Sequence, residues 1–398
     1  MGLLYVNTKG IAHRKHSYSA GLDYARSPYL YYLKRVLGWK ERDIKASFKF
    51  GRALEQAIEF MHDNNGKGGV EKFVELWAAH KDDKEIQYTK TEKDWENLNR
   101  AGVDMMKLYI IRQPSLPIPI GGGSVFQREY SKEVFEGDPV YGDIHFAGKL
   151  DIVAYVDPVH PMLPPVQWRP EYGLLRPLIV DIKTSAVDLP ERPGIVAFDK
   201  QLRVYSWLTG IRDVAFLWFK KAGINLSKGS SVTLLEDVGR LKAGDEAVVA
   251  QTTDSGVWLV TNDYFLEEMA NAQGRKEDGS IDQTKAAKER KAKWLEENAI
   301  KVPERAVTRQ RLQFNCGFVS IESANDAGKV AAKQIVDIVN AWKEKSYPNW
   351  AGIRYPDDNQ NDSYFRAFVL NDTAFKEQNF IRADEELDDL FDEPEEAE

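Results

Sequence analysis

The sequence predicts an α/β protein whose mixed central β-sheet is flanked by helices. Three observations carry that expectation. Apolar residues recur at helical spacing through much of the first 112 residues. Between residues 125 and 183 the period shortens to that of strands. A helical segment, an apolar strand, a small meander and further helical stretches then follow. At 398 residues the chain can bury one large core or two modest ones.

Each element has its own signal. Residues 17–38 run from Ser17-Tyr18-Ser19 through Tyr29, Leu30, Tyr31, Tyr32, Leu33, Val36 and Leu37, with Ser19 as the expected cap and Gly38 as the stop. The tyrosines read as the packing face of an amphipathic helix, with base stacking as the alternative. Phe48, Gly51, Ala53, Leu54, Ala57, Ile58 and Met61 give helical spacing over 48–62. Gly66-Lys67-Gly68-Gly69 interrupts it, and helices are expected again near 70–80 and 92–112. A loop rich in Pro and Gly spans Pro114 to Gly123. Strands are expected over Val125 to Val134, Ile144 to Val156 and Leu178 to Lys183. Prolines at 158, 161, 164, 165, 170 and 177 make an insertion loop between the last two.

Pro193-Gly194 opens a helix expected from about Val196 to Leu208. The nearly all-apolar run Asp213 to Lys220 suits a strand covered on both faces. Residues 230–260 read as a small antiparallel meander, turning at Ala243-Gly244-Asp245 and Asp254-Ser255-Gly256. A charged helical stretch covers about 263–299, a strand lies near 311–321, and an amphipathic helix runs from Asn325 to Lys345. The expected organisation is an N-terminal helical region at 1–125, a core at 126–222 and a small β insertion at 223–262. A C-terminal region at 263–383 packs on the core, and an acidic tail at 384–398 is expected to be disordered.

Composition bounds the function. The chain is 43% hydrophobic and 29% charged, ordinary for a soluble globular protein. No apolar run approaches a membrane span, and Met1-Gly2-Leu3-Leu4-Tyr5 lacks the regions of a signal peptide. One cysteine, Cys316, excludes a disulfide framework and any Cys-rich metal site. A cytoplasmic protein with no membrane partner is expected. The net charge of −8 is concentrated in the tail: residues 384–398 hold ten of the 62 acidic residues and no Lys or Arg. The rest, with 52 acidic against 54 basic residues, carries +2. Such a body can bind nucleic acid if its basic residues gather on one face. The tail, with Leu387, Leu390 and Phe391 set among acids, reads as a solubilising end, with a protein partner's basic groove or the chain's own nucleic-acid channel as the alternative places for it.

Asp181 and Lys183 are two apart on a strand, so both side chains leave the same face. Asp151 sits within the preceding strand, where an unpaired charge is costly to bury. Strands paired as a hairpin could bring Asp151 beside Asp181, and the backbone carbonyl of Ile182 is a further oxygen. Phosphodiester hydrolysis needs such a set. Hard cations such as Mg²⁺ or Mn²⁺ take carboxylates and waters, and a lysine can orient the attacking water and stabilise the phosphorane. Alone, Asp-x-Lys reads as an ordinary ion pair.

Its ordered company changes that reading. Gly148-Lys149-Leu150-Asp151-Ile152-Val153, Val180-Asp181-Ile182-Lys183-Thr184 and Gln201-Leu202-Arg203-Val204-Tyr205 resemble the successive motifs of the PD-(D/E)XK nuclease superfamily, its RecB-like exonuclease branch in particular. Upstream, Phe50-Gly51-Arg52-Ala53-Leu54-Glu55 resembles that branch's first-helix motif. Ser17-Tyr18-Ser19 and Ser27-Pro28-Tyr29-Leu30-Tyr31-Tyr32 resemble its opening. The likeness covers roughly residues 13–220, with a weaker echo near the C-terminus.

The resemblance implies a restriction-endonuclease-like core, with the small β-meander and C-terminal helices added. It implies Mg²⁺ or Mn²⁺ held by Glu55, Asp151, Asp181 and the Ile182 carbonyl, with Lys183 acting on water and transition state. Gln201 and Tyr205, at i and i+4, would support the site and touch DNA, and Gly51 would let helix and sheet approach. Some relatives hold an iron–sulfur cluster through one cysteine near the first motif and three near the C-terminus. Here Ser27 takes the first place and residues 347–364 have no cysteine, so no iron–sulfur cluster is expected. Packing by Trp350, Tyr355, Tyr364 and Phe365 is expected instead. Glu129 is a strand position more readily explained by a salt bridge than by the site. The six histidines show no metal-ligand spacing.

The function so implied is a metal-dependent DNA exonuclease of recombination, replication or repair, with a phage or mobile element as the setting by analogy. A structure-selective or nicking endonuclease on the same site is the alternative, and a non-catalytic DNA-binding or assembly protein with a decayed core is a third reading.

Overall fold

The change of period near residue 124 is where the polypeptide returns from a helical layer to the central sheet, whose first two strands lie within residues 4–17, inside the region expected to be helical. The computed structural model describes residues 4–6, 12–88, 94–138, 142–165, 174–190, 192, 194–347 and 363–382. The acidic tail, Trp350 and Tyr355 lie outside the described residues.

Strands β1 (Leu4–Val6) and β2 (Ala12–Ser17) lead into α1 (Tyr18–Arg26). Ser17 caps α1, its Oγ accepting from the Ala20 N–H at 3.2 Å, so the cap lies two residues before the expected Ser19. The single helix expected over 17–38 is broken at Ser27-Pro28, because a residue before proline is pushed out of the α region. Ser27 is extended, at φ −163°, and its hydroxyl caps the next turn by accepting from the Leu30 N–H. Three helices follow: α2 (Ala46–Asp63), α3 (Gly69–Ala78) and α4 (Trp95–Arg112).

The sheet proper is built from β3 (Ser124–Asp138), β4 (Gly142–Val156) and β5 (Arg176–Ser185). A short 3₁₀ turn, Ile195–Phe198, takes the first part of the helix expected from Val196. Asp199 then caps α5 (Lys200–Thr209), which ends at Gly210 with φ 77°. Strand β6 (Asp213–Lys220) follows as expected. A second sheet and its helices come next: β7 (Ser231–Leu234), β8 (Glu246–Thr253), β9 (Gly256–Val260), α6 (Tyr264–Gln273), α7 (Lys285–Asn298), β10 (Ile300–Val302) and β11 (Val307–Thr308). Strand β12 (Arg311–Phe318) returns to the central sheet, and α8 (Ile321–Glu344) packs against it.

The central sheet runs β1-β2-β4-β5-β6-β12, with β3 along β4. It is mixed: β2 is parallel to β4 and β5 to β6, and the other pairs are antiparallel. Helices flank both faces. Phe50, Leu54 and Ile58 of α2 and Met105 of α4 bury one face with Ile152, Val180, Ile182 and Leu217. On the other face, Leu202 and Tyr205 of α5 pack with Leu150, Val153, Ile179 and Val214, and α8 adds Ala331, Ile335 and Val339.

Strand β4 creates a fork. Strand β3 covers one of its edges from Ile144 to Ala154. The other edge is shared, by β2 at 144–147 and by β5 at 152–156. Residues 148–151 therefore face neither, and β5 runs on past Val180 paired only with β6. The alternation of β4 also breaks here. Leu150 and Val153 belong to the α5 face while Ile152 belongs to the α2 face. Opposite Asp151, Gln127 of β3 takes a left-handed φ of 49° and drops out of the ladder.

The second sheet is larger than the meander expected over 223–262. Its order is β10-β9-β8-β7-β11, so residues 300–308 complete it from beyond that boundary. Helices α6 and α7 pack on it through Met269 and Leu295. The segment 264–308 thus belongs with this sheet rather than with the core. The strands at 300–302 and 307–308 are too short to leave a period-two pattern. Thr308 joins the sheet to α4, donating to Asp104 Oδ2 at 2.7 Å in a buried contact. Among the described residues, no helix is long and apolar enough to cross a membrane.

At the start of β5 the fold buries a complete ion pair. Arg176 and Asp213, with side chains 3% and 1% exposed, meet through two hydrogen bonds, Nε to Oδ2 at 2.7 Å among them. Arg176 also donates to the carbonyls of Pro158 and Pro164, tying down the described part of the insertion loop. Asp213→Ala would leave the guanidinium buried and unpaired, so it is expected to lower stability by about 3–5 kcal/mol in urea unfolding.

Candidate active site

The fork leaves backbone groups without ladder partners, and polar side chains take them. Asp151 Oδ2 accepts from the Ile182 N–H at 2.8 Å, replacing the hydrogen bond that a continued β4–β5 ladder would have made. In an extended strand the N–H and C=O of one residue point to the same edge, so the Ile182 carbonyl also faces the gap. On β4, the Lys149 carbonyl accepts from the Tyr205 hydroxyl at 3.3 Å, and Gln201 Nε2 donates to that hydroxyl at 2.8 Å. Gln201 Oε1 in turn accepts from Lys183 Nζ at 3.4 Å. A chain of contacts thus links α5 to both prongs of the fork.

Asp181 is 3% exposed and Lys183 stands 2.7 Å from its Oδ2. The ammonium is therefore the charge partner of this oxygen. Glu55 comes from α2, on the opposite face of the sheet, close enough for its charge to be felt by the two aspartates. Burial pushes the Glu55 carboxyl up to about 8, reinforced by Asp151 and Asp181. Asp181 is pushed up to about 7, by burial first and then by Asp151. Asp151 is also raised by burial, with the Ile182 N–H, Lys183 and Gln127 pulling the other way. Burial alone would lower Lys183, but Asp181, Asp151 and Asp199 outweigh it and hold the ammonium charged.

Glu55, Asp151 and Asp181 thus share one buried neighbourhood with Lys183, while Arg52 acts on Glu55 and Lys149 on Asp151, and all three carboxyls bind protons more readily than free ones. Among the described residues no three His, Cys, Asp or Glu side chains are grouped to hold a metal ion as they stand. The donors nonetheless suit one: they are hard carboxyl oxygens, and their raised proton affinity marks a place where added positive charge is favoured.

The structure brings Asp151, Asp181, Lys183, Gln201, Tyr205 and the Ile182 backbone to one place and sets Glu55 beside them. Gly51 does not explain the close approach of helix to sheet: a Cβ there would sit 3.4 Å from Thr184 Oγ1, an ordinary contact. The tight position is Gly148, where a Cβ would meet Tyr205 Cε1 at 2.9 Å and Leu208 Cδ2 at 3.0 Å. Glu129 is exposed and lies opposite Lys149 on the β3 side.

Sequence reasoning missed Gln127, whose side chain hydrogen-bonds the Asp151 carboxylate. A left-handed glutamine inside a strand leaves no sequence signal. Tyr18 was legible only as part of the opening motif. Burial and then Asp199 raise its phenol while Lys183 lowers it, which places it beside the lysine. Tyr31 is buried, as the packing reading expects. Ser27 is buried as a helix cap, and Tyr364 packs nearby with Leu30, Leu33, Ala367 and Phe380, with Phe365 at the margin.

Raised carboxylates make the folded form the better proton binder, so the stability they contribute is present in acid and lost as pH rises through their folded values. For Glu55 the window runs from 4.5 to about 8. In EDTA, the stability of Glu55→Gln relative to wild type is expected to increase across that window. A flat difference in melting temperature would contradict the raised carboxyl.

No protein-family model matches the sequence, and no curated protein matches it. Among solved structures, that of SSO0001 is similar at 12% identity, over 45% of this chain and 62% of that one, with a TM-score of 0.18. This chain thus spans less than two thirds of SSO0001's length, and a likeness so slight carries no argument.

Proposed function

We propose that this chain is a Mg²⁺- or Mn²⁺-dependent DNA nuclease with a restriction-endonuclease-like core, of the RecB-like branch of the PD-(D/E)XK superfamily. The observation that carries the reading is the carboxyl cluster at the fork: Glu55, Asp151 and Asp181 lie within range of one another's charge, all with raised proton affinity, beside Lys183. A structural ion pair would be balanced, as Arg176 and Asp213 are. Exonuclease action is favoured over nicking by the sequence resemblance alone.

Glu55, Asp151, Asp181 and the Ile182 carbonyl would hold the cation. When bound, it supplies Lewis acidity and a water of lowered pKa. Lys183 remains an ammonium, able to donate to the attacking water and to the phosphate oxygens as charge builds on them. Gln201 positions that ammonium, and Tyr205 fixes Gln201 against β4. Burial holds the Tyr205 phenol protonated, so it serves as a hydrogen-bond donor and not as a base. Gln127 holds Asp151 from β3.

End-labelled linear DNA should be degraded with Mn²⁺ and spared with EDTA, while supercoiled and circular single-stranded DNA should survive an exonuclease. Lys183→Ala is expected to lower kcat about 10²- to 10³-fold, and Asp181→Ala to remove activity together with calorimetric Mn²⁺ binding. Full activity in both variants would refute the site. Gln127→Gly relieves the left-handed backbone but removes the donor to Asp151. It should keep the melting temperature while weakening Mn²⁺ about 10- to 100-fold, whereas Asn, which tolerates that backbone, should recover part of the loss.

A further inference from the structure

The first two turns of α2 carry a feature the chemistry at the fork does not use. Phe48 is 80% exposed, while Phe50, two residues on, is fully buried. Seven residues separate Phe48 from Glu55, so the two side chains lie on the same side of the helix, about 10 Å apart along its axis. Lys49 and Arg52, at i and i+3, add basic groups beside that line, and Lys45 is the extended residue that caps the helix just before it. None of the three is in an ion pair among the described residues. Arg52 is near enough to Glu55 to act on its charge. Gly51 lies over Thr184, the residue after Lys183, so the Arg52 side of this helix reaches the rim of the fork, while Lys49 lies toward His80.

A protein partner would seek a broad apolar patch, and here one ring stands among cations. A duplex offers phosphates but no base face, because its bases are already stacked. A single strand offers both, phosphates to the cations and an open base to the ring. We propose that the first two turns of α2 form the platform along which single-stranded DNA approaches the fork, one base stacking on Phe48 and adjoining phosphates lying on Lys45, Lys49 and Arg52. The inference rests on the nuclease reading for the fate of the strand, but not for its binding.

Binding is measured by fluorescence anisotropy on the Asp181→Ala chain, with a single-stranded oligonucleotide and a blunt hairpin as probes. Phe48→Ala should weaken the single strand about 5- to 150-fold and leave the hairpin unchanged. Phe48→Trp should restore binding. Lys45→Ala with Lys49→Ala should flatten the slope of log affinity against log salt by about 1.4. No single-strand binding, an unchanged affinity in Phe48→Ala, or an equal loss for hairpin and single strand would each overturn the platform. Cleavage by the otherwise unaltered chain with Mn²⁺ is scored separately. If it cuts nothing while the Phe48 effect holds, the platform stands and the nuclease reading falls.

Discussion

The hydrogen bond from the Ile182 N–H to the Asp151 carboxylate is the interaction on which the candidate site depends. Two strands that part in mid-sheet strand their backbone donors and acceptors, and buried groups of that kind must find partners. Asp151 closes one such position and Tyr205 another. The residues that would do chemistry are therefore also those that make the fork tolerable. The fork in turn lets groups from both faces meet: Glu55 from the α2 side, Gln201 and Tyr205 from the α5 side, and Asp181 with Lys183 on the prong itself.

Two buried charge sites in one sheet make the contrast plain. Arg176 and Asp213 pair one to one, with bidentate geometry and two further carbonyls on the guanidinium. That arrangement repays its desolvation as far as a buried pair can, and it holds the start of β5 and the insertion loop together. At the fork three carboxyls share one buried neighbourhood, and their raised proton affinities express the cost. Strain of this kind persists where the surrounding packing over-determines it, here through the apolar layers on both faces.

The second sheet shows the same economy of polar contact at a different place. It has its own apolar core and meets the rest partly through Thr308 and Asp104. Burial raises the Asp104 carboxyl, partly offset by the Thr308 hydroxyl. A polar contact buried between two units fixes their register more sharply than apolar packing alone, because misplacing it leaves the carboxylate unpaired.

The sequence by itself determined the long elements and the order of the motif residues. Alternation named β3 and β4, the all-apolar run at 213–220 named β6, and helical spacing named α2 and α8. Asp181 and Lys183 were legible as a same-face pair because strand periodicity is local. Asp151 was legible as a charge set within an apolar strand, whereas Glu55 entered only through its ordered spacing, since nothing local separates it from a surface acid. Tertiary structure decided the rest. The fork arises from which strands share an edge of β4, a non-local matter. Gln127 acquires its role from a left-handed turn that pairing imposes. Ser27 became a cap because Pro28 forbids a continuous helix. The short strands at 300–308 exist only because β9 and β7 offer them edges. Local pattern gives the face a side chain takes in a regular strand or helix; packing decides which faces meet, and at the β4 fork even the face itself.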